Sequence, residues 1–238
     1  MANFRHEWKH EINTSDAAVV RQRLMTVTKP DPHAQMICLP DISGRPGIHR
    51  YIYEIRSLYF DNLTDKALRE KIDGVNMREK FRIRYYNGDA SVIHLEKKRK
   101  CNGLTSKESA LLTKEDVQKI LCGDYGFMAH SPYALVVELY HKMRTEGLAP
   151  KTIVDYTREP FVYAPGNVRV TLDYNIRTGI GWTDFLNPDC VTISAGDQIM
   201  IMEVKWDAFL PDIIRDAVQL TGRRAGAFSK YAACRIYG

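Results

Sequence analysis

The sequence lacks the features that mark secreted, zinc-stabilised and membrane-spanning proteins. Its five cysteines are odd in number and none forms a Cys-x-x-Cys pair, which argues against a disulfide framework and a structural zinc site. No apolar run approaches the roughly 20 residues that a membrane helix needs. The N-terminal segment is charged throughout, so a signal peptide is not expected there. We therefore expect a cytoplasmic protein without a membrane segment.

Recognisable catalytic loops and internal repeats are also absent. Nothing in the sequence resembles a P-loop or a nucleophile elbow, and no repeat, low-complexity tract or linker divides the chain. We expect residues 1–238 to form one domain. The net charge of +5 favours anionic partners but is too small to name one.

What the sequence has in abundance is strand-like segments, spread along the whole chain. Turn residues separate several of them, and the short loop that contains Asn87-Gly88 predicts a hairpin between its two flanking segments. The predicted strands are residues 4–12, 53–61, 78–86, 91–100, 133–143, 151–163, 168–179 and 198–207.

Helices are predicted to be fewer than strands. Thr14-Ser15-Asp16 can cap a helix that runs to about Met25. Further helices are expected at 62–70, 113–123 and 211–220, and a loop is expected at 29–47. The simplest organisation is therefore one mostly antiparallel β-domain with helices around it, in the α+β class.

The predicted strand 78–86 places three cations on one face. Lys80, Arg82 and Arg84 point to one side, and Phe81 and Ile83 point to the other. A similar division into a charged face and an apolar face recurs in other predicted strands. Their charged faces carry Glu7 and Lys9; His94, Glu96 and Lys98; Glu138; Arg169, Asp173 and Arg177; and Glu203 and Lys205.

Two architectures fit this alternation. In the first, an open sheet buries its apolar face under helices, and its charged face meets water. In the second, the sheet closes into a barrel with the charged face inward, which makes a polar tunnel. Burying an unpaired charge costs several kcal/mol, so such a tunnel needs a counter-charge. Polyphosphate would supply it, because Arg and Lys side chains match phosphate oxygens well.

Six short motifs occur along the chain in a specific order, and together they resemble a known family. They are Ser57-Leu-Tyr-Phe-Asp61, Arg82-x-Arg84, Glu96-x-Lys98, Arg169-x-x-x-Asp173, Glu203-x-Lys205 and Ser229-Lys-Tyr231. This set resembles the VTC domain, the polyphosphate polymerase domain of the triphosphate tunnel metalloenzyme superfamily, over about residues 4–235. The resemblance implies an antiparallel β-tunnel that binds triphosphate and a divalent metal.

The resemblance also implies roles for individual residues. The implied catalytic cations are Arg82, Arg84, Lys98 and Lys230; the implied phosphate-binding residues are Lys9, Lys107, Arg158, Arg169 and Lys205; and Glu203 is the implied ligand of Mn²⁺ or Mg²⁺. Lys107 is expected in a loop after Gly103. Simpler interpretations stay open, since Lys9 could pair with Glu7 and Glu11, and Glu203 could be an ion-pair partner of Arg82 or Lys205.

One departure from the superfamily narrows the prediction. Its triphosphatase and cyclase branches carry Glu-x-Glu-x-Lys on the first strand, whereas this chain has Glu7-x-Lys9-x-Glu11. The order found here favours the polymerase-like branch, with ATP and polyphosphate as partners and phosphoryl transfer from ATP to the chain as the reaction. Two alternatives stay open: a triphosphatase, and a non-catalytic module that binds polyphosphate or nucleotide. Nucleic acid is not an expected partner, because the aromatic residues fall largely opposite the cations.

Overall fold

Eleven β-strands dominate the computed structural model, which describes residues 4–40, 46–196 and 199–236. The strands are β1 (His6–Ile12), β2 (Lys29–Pro30), β3 (Gln35–Pro40), β4 (Pro46–Asp61), β5 (Arg78–Tyr86), β6 (Asp89–Cys101), β7 (Leu104–Leu112), β8 (Ala149–Tyr163), β9 (Val168–Thr178), β10 (Ile193–Ser194) and β11 (Met200–Trp206). The α-helices are α1 (Thr14–Val27), α2 (Lys66–Ile72), α3 (Lys114–Leu121), α4 (Ala134–Glu146), α5 (Asp212–Val218) and α6 (Lys230–Cys234).

The main sheet is antiparallel throughout and curls on itself. Its strand order is β1-β11-β9-β8-β4-β5-β6-β7, with β2, β3 and β10 paired beside this path. The two ends of the path meet at a single bridge, in which the backbone amides of Arg5 and Thr105 donate to each other's carbonyl oxygens at 3.0 and 3.2 Å. The sheet therefore has an inner and an outer face, as the tunnel prediction requires.

Helices cover the outer face at two places. Against β4 to β7, the helices α3 and α4 bury side chains such as Phe81, Ile83 and Leu139. Against β1, β9 and β11, the helices α1 and α5 bury Leu24 and Ile214 with strand residues. Each fully buried side chain of this size contributes roughly 1.5–3 kcal/mol. The α+β class, with helices outside an antiparallel sheet, is confirmed.

Part of the inner face is apolar and is closed by the C-terminal helix. Tyr231 of α6 is buried among inward-facing strand residues that include Tyr59, Val154, Tyr156 and Ile201. Asn175 helps to build this region, because its positive φ of 52° breaks the alternation of β9. The pairing with β8 shifts register at the same place, as in a β-bulge.

The bulge at Asn175 corrects one prediction about faces. The sequence pattern places Arg177 on the charged face of its strand, together with Asp173. In the structure Ile176 joins the inner apolar cluster, and Arg177 donates a hydrogen bond to Thr192 Oγ1 at 2.9 Å. An inserted residue moves every following side chain to the opposite face, so strict alternation is wrong beyond Asn175.

The prediction of a strand at 133–143 is wrong. Residues Ala134–Glu146 form helix α4, whose buried residues Leu135, Val136, Leu139 and Met143 lie on one side. Glu138 therefore does not face the tunnel; it accepts hydrogen bonds from Lys97 Nζ on the outer face. The apolar spacing in this segment fits a helix of several turns as well as a strand, and helix α4 is selected by packing on the sheet.

Several other boundaries differ from the predictions. Helix α1 is capped by Asn13, which forms a capping box with Asp16. The segment 29–47, expected to be a loop, contains β2, β3 and the start of β4, while its residues 41–45 lie outside the described chain, as does Gln198 of the predicted last strand. Strand β7 was not predicted, and α2 begins at Lys66 rather than at residue 62. Among the described helices, none is both long and apolar enough to cross a bilayer.

Candidate functional site

The curled sheet surrounds a cavity of about 350 Å³ whose lining is strongly cationic. Two carboxylates, Glu96 and Glu203, line the cavity together with eleven basic side chains. The basic residues are Arg5, Lys9, Lys80, Arg82, Arg84, Lys98, Lys107, Arg158, Arg169, Lys205 and Lys230. So large an excess of cations in a confined space requires either a bound polyanion or carboxylates placed behind the cations.

The structure brings all ten predicted site residues to this one cavity. They are Lys9 on β1, Arg82 and Arg84 on β5, Lys98 on β6, Lys107 on β7, Arg158 on β8, Arg169 on β9, Glu203 and Lys205 on β11, and Lys230 on α6. One placement differs from its prediction, because Lys107 lies on a strand and not in a loop. Its strand is the last of the sheet path and points Lys107 inward, opposite Lys98 in register.

Arg82 and Arg84 are positioned by groups that lie behind them in the wall. Arg82 Nε donates to Glu96 Oε2 at 2.8 Å, and Arg84 Nε donates to Ser57 Oγ at 2.9 Å. Glu96 is only 2% exposed. Burial alone would raise its pKa, but the charges of Arg82, Arg84 and Lys107 outweigh burial and hold the pKa far below its usual range. Glu96 is therefore an anion that fixes both arginines.

A second buried carboxylate performs the same task for cations on β8 and α6. Asp173 accepts two hydrogen bonds from Arg158, at 2.7 and 2.8 Å, and one from Lys230 Nζ at 2.5 Å. Asp173 is fully buried, and burial would raise its pKa, yet Arg158 and Lys230 lower it well below the usual value. Lys230 is thereby held inside the tunnel although it belongs to the C-terminal helix.

Arg169 is held at the cavity by a residue that the sequence pattern does not single out. Its Nη2 lies 2.7 Å from Oδ2 of Asp31, which follows the short strand β2. The carboxyl of Asp31 is buried as well, and hydrogen bonds from Tyr53 and the His33 amide, with the charge of Arg169, lower its pKa against the effect of burial. The side chain of Arg169 is therefore oriented by a residue of the connection that follows α1, although this connection is far from Arg169 in sequence.

Two lysines of the cavity have no carboxylate within ion-pair distance in the described part of the chain. Lys80 and Lys98 are direct partners in the β5–β6 register, and Lys98 is in turn the partner of Lys107. Burial lowers the pKa of Lys80 to about 8. Burial, followed by the charge of Lys205, lowers the pKa of Lys98 well below its usual value. Like charges opposite one another destabilise a sheet, so this row of lysines favours an anionic ligand.

Comparison with protein families decides which fold family this tunnel belongs to. A family model described as the VTC domain matches residues 4–236. The chain belongs to the VTC-domain family. The resemblance drawn from the six motifs is thereby confirmed. No curated protein matches the chain significantly.

Solved structures resemble this VTC domain at low sequence identity. A protein from Bacillus halodurans, provisionally described as an adenylate cyclase, is 12% identical with a TM-score of 0.49, and the match covers 85% of this chain and 80% of that one. The PH1012 protein from Pyrococcus horikoshii OT3 is 12% identical with a TM-score of 0.47, over 95% of this chain and 96% of that one. At these values neither structure bears on the function.

The VTC-domain family suggests dependence on a divalent metal, and Glu203 is the residue to test for it. The carboxylate lies deep in the cavity, where its Oε1 is 2.7 Å from Lys205 Nζ and its Oε2 is 3.6 Å from Arg158 Nη2. Burial would raise the pKa of Glu203, but Lys205 and Lys9 lower it well below the usual range, so Glu203 is charged.

A metal at Glu203 would have to be bound jointly with phosphate. Among the described residues no group of three or more His, Cys, Asp or Glu side chains could hold a metal ion. Mg²⁺ commonly uses one or two carboxylates and completes its shell with water and substrate phosphates. The single carboxylate of Glu203 suits this mode, and phosphates gripped by the neighbouring cations would supply the other oxygens.

Lys80, Tyr59 and Tyr156 are among the residues of this VTC domain that line the cavity without having been predicted as site residues. Lys80 shares the face of Arg82, and the alternation of β5 was sufficient to find it. Tyr59 and Tyr156 accept hydrogen bonds from Arg82 Nη1 at 2.8 Å and from Arg84 Nη2 at 2.9 Å. No signal in the sequence distinguishes these two tyrosines from core aromatics, because their role depends on which arginine lies across the strands.

Proposed function

We propose that this VTC domain transfers the γ-phosphoryl group of ATP to a polyphosphate chain in a metal-dependent reaction within the cationic tunnel. The observation that carries the proposal is the excess of cations, eleven against two carboxylates, in a cavity of about 350 Å³. Nucleotide triphosphates and polyphosphate are compact polyanions that match this charge. Family membership supports the same class of ligand.

The arrangement of the arginines suits a phosphate ligand better than it suits a ligand with a single carboxylate group. Arg82 and Arg84 present planar guanidinium groups from β5, and Arg158 presents a third from β8, two strands away in the sheet order. Guanidinium groups bind phosphate oxygens in pairs and stay charged at all working pH values. Because Glu96 and Asp173 hold them in place, the arginines need little reorganisation when a phosphate enters, and this preorganisation is what phosphoryl transfer requires.

A second basic pocket favours a ligand longer than a triphosphate. It has a volume of about 140 Å³ and shares Lys9, Lys80 and Lys98 with the main cavity. It adds Lys71 and Lys100, and burial together with nearby Arg78 lowers the pKa of both lysines, so their charges repel one another. A phosphate chain that extends from the main cavity would neutralise these cations as well.

The proposed reaction needs no protein nucleophile. The acceptor is the terminal phosphate of the chain, which is already an anion, so the residues have to bring two anions together and stabilise the charge of the transferring group. We propose that Arg82 and Arg84 on β5, Arg158 on β8 and Lys230 on α6 do so. Mn²⁺ or Mg²⁺, held by Glu203 and phosphate oxygens, would polarise the transferring group when bound.

A time course with ATP and Mn²⁺ tests this proposal. ADP, free phosphate and acid-stable polyphosphate are quantified for the wild type and for Arg82→Ala and Glu203→Ala. A matched control is Arg56→Ala, since Arg56 forms its ion pair with Asp155, at 2.9 Å, on the outer face of the same sheet. Polyphosphate that accumulates with ADP, is lost in both site variants and persists in the control is the expected result.

Two other outcomes would overturn the polymerase proposal in distinct ways. If ADP appears with an equal amount of free phosphate and no polymer, water is the acceptor and the protein is a triphosphatase. If ATP is not consumed but ATP or polyphosphate binds in a manner that Arg82→Ala abolishes, the tunnel is a binding module.

A further inference from the structure

The hydroxyl group of Tyr59 lies among the cations of the tunnel. It accepts a hydrogen bond from Arg82 Nη1 at 2.8 Å, and Lys80 Nζ is 5.5 Å from the centroid of its ring. Tyr59 is only 3% exposed. Burial alone would raise its pKa, but Arg82, Lys80 and Arg84 outweigh burial and lower the pKa to about 7. Tyr59 is therefore placed to carry a negative charge beside Lys80.

The ring of Tyr59 is fixed from behind. It stacks on Tyr231 with a centroid distance of 5.0 Å, and the Tyr231 hydroxyl donates to Asp61 Oδ2 at 2.7 Å. Asp61 in turn accepts hydrogen bonds from the amides of Ala67 and Leu68 at the start of α2. Because this stack holds the phenol in place, Tyr59 can respond to a ligand by changing its protonation more readily than by moving.

The charges that face Tyr59 are mostly positive. The carboxylates nearby are already bound: Glu96 to Arg82, and Asp61 to the hydroxyl of Tyr231 behind the phenol. The titratable and charged groups around the phenol are Lys9 from β1, Lys80, Arg82 and Arg84 from β5, Glu96 from β6, Tyr156 from β8, and Lys230 and Tyr231 from α6. When the tunnel holds no polyanion, the phenolate of Tyr59 supplies more counter-charge to Lys80 than Glu7 of β1 does.

We propose that Lys80 is a phosphate-binding residue and that the phenolate of Tyr59 is its counter-ion until a triphosphate binds, whereupon Tyr59 takes up one proton from solvent. The phosphate oxygens then neutralise Lys80 and Arg82, and the phenolate, left beside the anion, becomes a neutral phenol. The bond formed at Tyr59 is its O–H bond; near pH 8 the share of Lys80 that is neutral also regains its N–H proton, because its pKa is about 8. The inference rests on the proposed function only for the class of ligand, not for turnover.

This linkage between binding and protonation makes affinity depend on pH in a specific direction. Above about pH 7 a growing share of the free protein carries the phenolate, and this share must be protonated before the triphosphate binds. At pH 8 the apparent affinity is therefore reduced about tenfold by Tyr59. Replacement of Tyr59 by Phe keeps the ring and its stack but removes the phenolate, so it is expected to tighten binding.

Calorimetric titration of the full chain with inorganic tripolyphosphate tests the inference. It is done at pH 6 and pH 8, at a fixed Mg²⁺ concentration, in two buffers of different ionisation enthalpy, so that proton uptake is measured directly. The variants are Tyr59→Phe and Lys80→Met, with Tyr140→Phe as control, since Tyr140 lies on α4 outside the sheet. Protons from the ligand itself cancel when variants are compared.

We expect Tyr59→Phe to bind more tightly than wild type at pH 8 and equally at pH 6, and to take up fewer protons at pH 8; the difference is smaller than one proton, because Lys80 without the phenolate has a lower pKa and takes up part of a proton itself. Lys80→Met is expected to bind more weakly at both pH values, and Tyr140→Phe to match wild type. Equal proton uptake by wild type and Tyr59→Phe at pH 8 would overturn the inference.

A second measurement keeps the test decisive if Tyr59→Phe does not fold. Addition of tripolyphosphate to the wild type at pH 8 should reduce the near-ultraviolet absorbance of phenolate by the amount due to one tyrosine. An unchanged spectrum on saturation would overturn the inference. Failure of this inference can be told apart from failure of the proposed function. Proton-linked binding of tripolyphosphate without ATP turnover would rule out only the polymerase activity. ATP turnover without proton uptake by Tyr59 would rule out only the role proposed for Tyr59.

Discussion

The two faces of one sheet treat buried charge in opposite ways. On the outer face each buried cation has its own carboxylate: Arg21 Nε lies 2.8 Å from Glu159, and Lys97 Nζ lies 2.7 Å from Glu138. On the inner face the single carboxylate of Glu96 is shared by three cations, Arg82, Arg84 and Lys107. Lys98 has no carboxylate within ion-pair distance among the described residues.

This difference separates charges that complete the fold from charges that await a ligand. A closed ion pair makes little demand on solvent or solutes, whereas unpaired cations in a confined space carry a desolvation cost that an anion can relieve. The inner face is therefore the less stable half of the sheet in the free protein, and a polyanion should stabilise it selectively. The predictions below compare the two faces directly.

The largest effect is expected from Glu96→Gln. The change leaves Arg82 and Arg84 buried without their carboxylate, and we expect the free energy of unfolding to fall by about 3–5 kcal/mol. Tripolyphosphate should restore part of the loss, because it replaces the missing anion. Urea unfolding with and without tripolyphosphate measures both effects.

Glu159→Gln is the control for Glu96→Gln on the outer face. It leaves Arg21 without its carboxylate, so a loss of similar size is expected. Tripolyphosphate should not reduce that loss beyond the general stabilisation seen in wild type. Equal recovery of the two variants would contradict the distinction between the faces.

An effect of the opposite sign is expected from Lys98→Met. Because Lys98 is buried beside Lys205 and its pKa is held low, loss of its charge should raise the free energy of unfolding by on the order of 1 kcal/mol. The same change should weaken tripolyphosphate binding about tenfold. Unfolding curves and titration calorimetry give the two numbers.

The neighbouring residue supplies a matched control for Lys98→Met. Lys97 is adjacent in sequence but points outward, where it lies 2.7 Å from Glu138 and 2.9 Å from Glu108. Lys97→Met should therefore lower stability and leave tripolyphosphate binding unchanged. If both variants change stability in the same direction, the two faces do not differ as argued.

The inner face should also reverse the usual dependence of stability on pH. The folded-state pKa values of Tyr59, about 7, and Lys80, about 8, lie well below the usual values of these side chains. Between about pH 7 and pH 9 the unfolded chain thus holds more protons, and stability of the free protein should rise by about 2 kcal/mol per pH unit. Urea unfolding at several pH values measures the slope.

The inner pair should carry much of this slope, with a further share from Lys98, whose pKa is also held well below its usual value. The double variant Tyr59→Phe with Lys80→Met is expected to reduce the slope between pH 7 and pH 9, whereas Tyr140→Phe, on outer helix α4, should keep it. A profile that stays steep in the double variant would assign the effect to other groups.

The alternation of charge along β5 was sufficient to predict which side chains share a face, but it could not predict that the sheet closes. Closure depends on the bridge between Arg5 and Thr105, which are far apart in sequence and carry no pairing signal. The resemblance to the VTC domain supplied that step. The resemblance also predicted individual site residues, and the closed sheet brings these residues to one cavity.

Other elements could not be predicted for physical reasons. In 133–143 the apolar spacing suits both a strand and a helix, and only packing on the outer face selects helix α4. Asp31, which aims Arg169, lies in a connection without periodicity. Asn175 shifts the register of β9 by one residue, and a bulge of this kind leaves no mark in hydrophobic alternation.

The smallest effect is expected from Lys107→Gln. This variant tests whether the burial of a lysine in the tunnel determines how much that lysine contributes to tripolyphosphate binding. Lys107 and Lys98 are register partners on the same face, yet the side chain of Lys107 is 52% exposed and lies 3.1 Å from Glu96. Solvent and the shared carboxylate both screen its charge, so loss of Lys107 should weaken tripolyphosphate binding only about threefold.

The loss of affinity in Lys107→Gln should vanish at high salt, because exposed charges are screened, whereas the loss of affinity in Lys98→Met should persist. Titrations of both variants at two salt concentrations measure this contrast, and equal salt dependence would show that burial does not separate the two lysines.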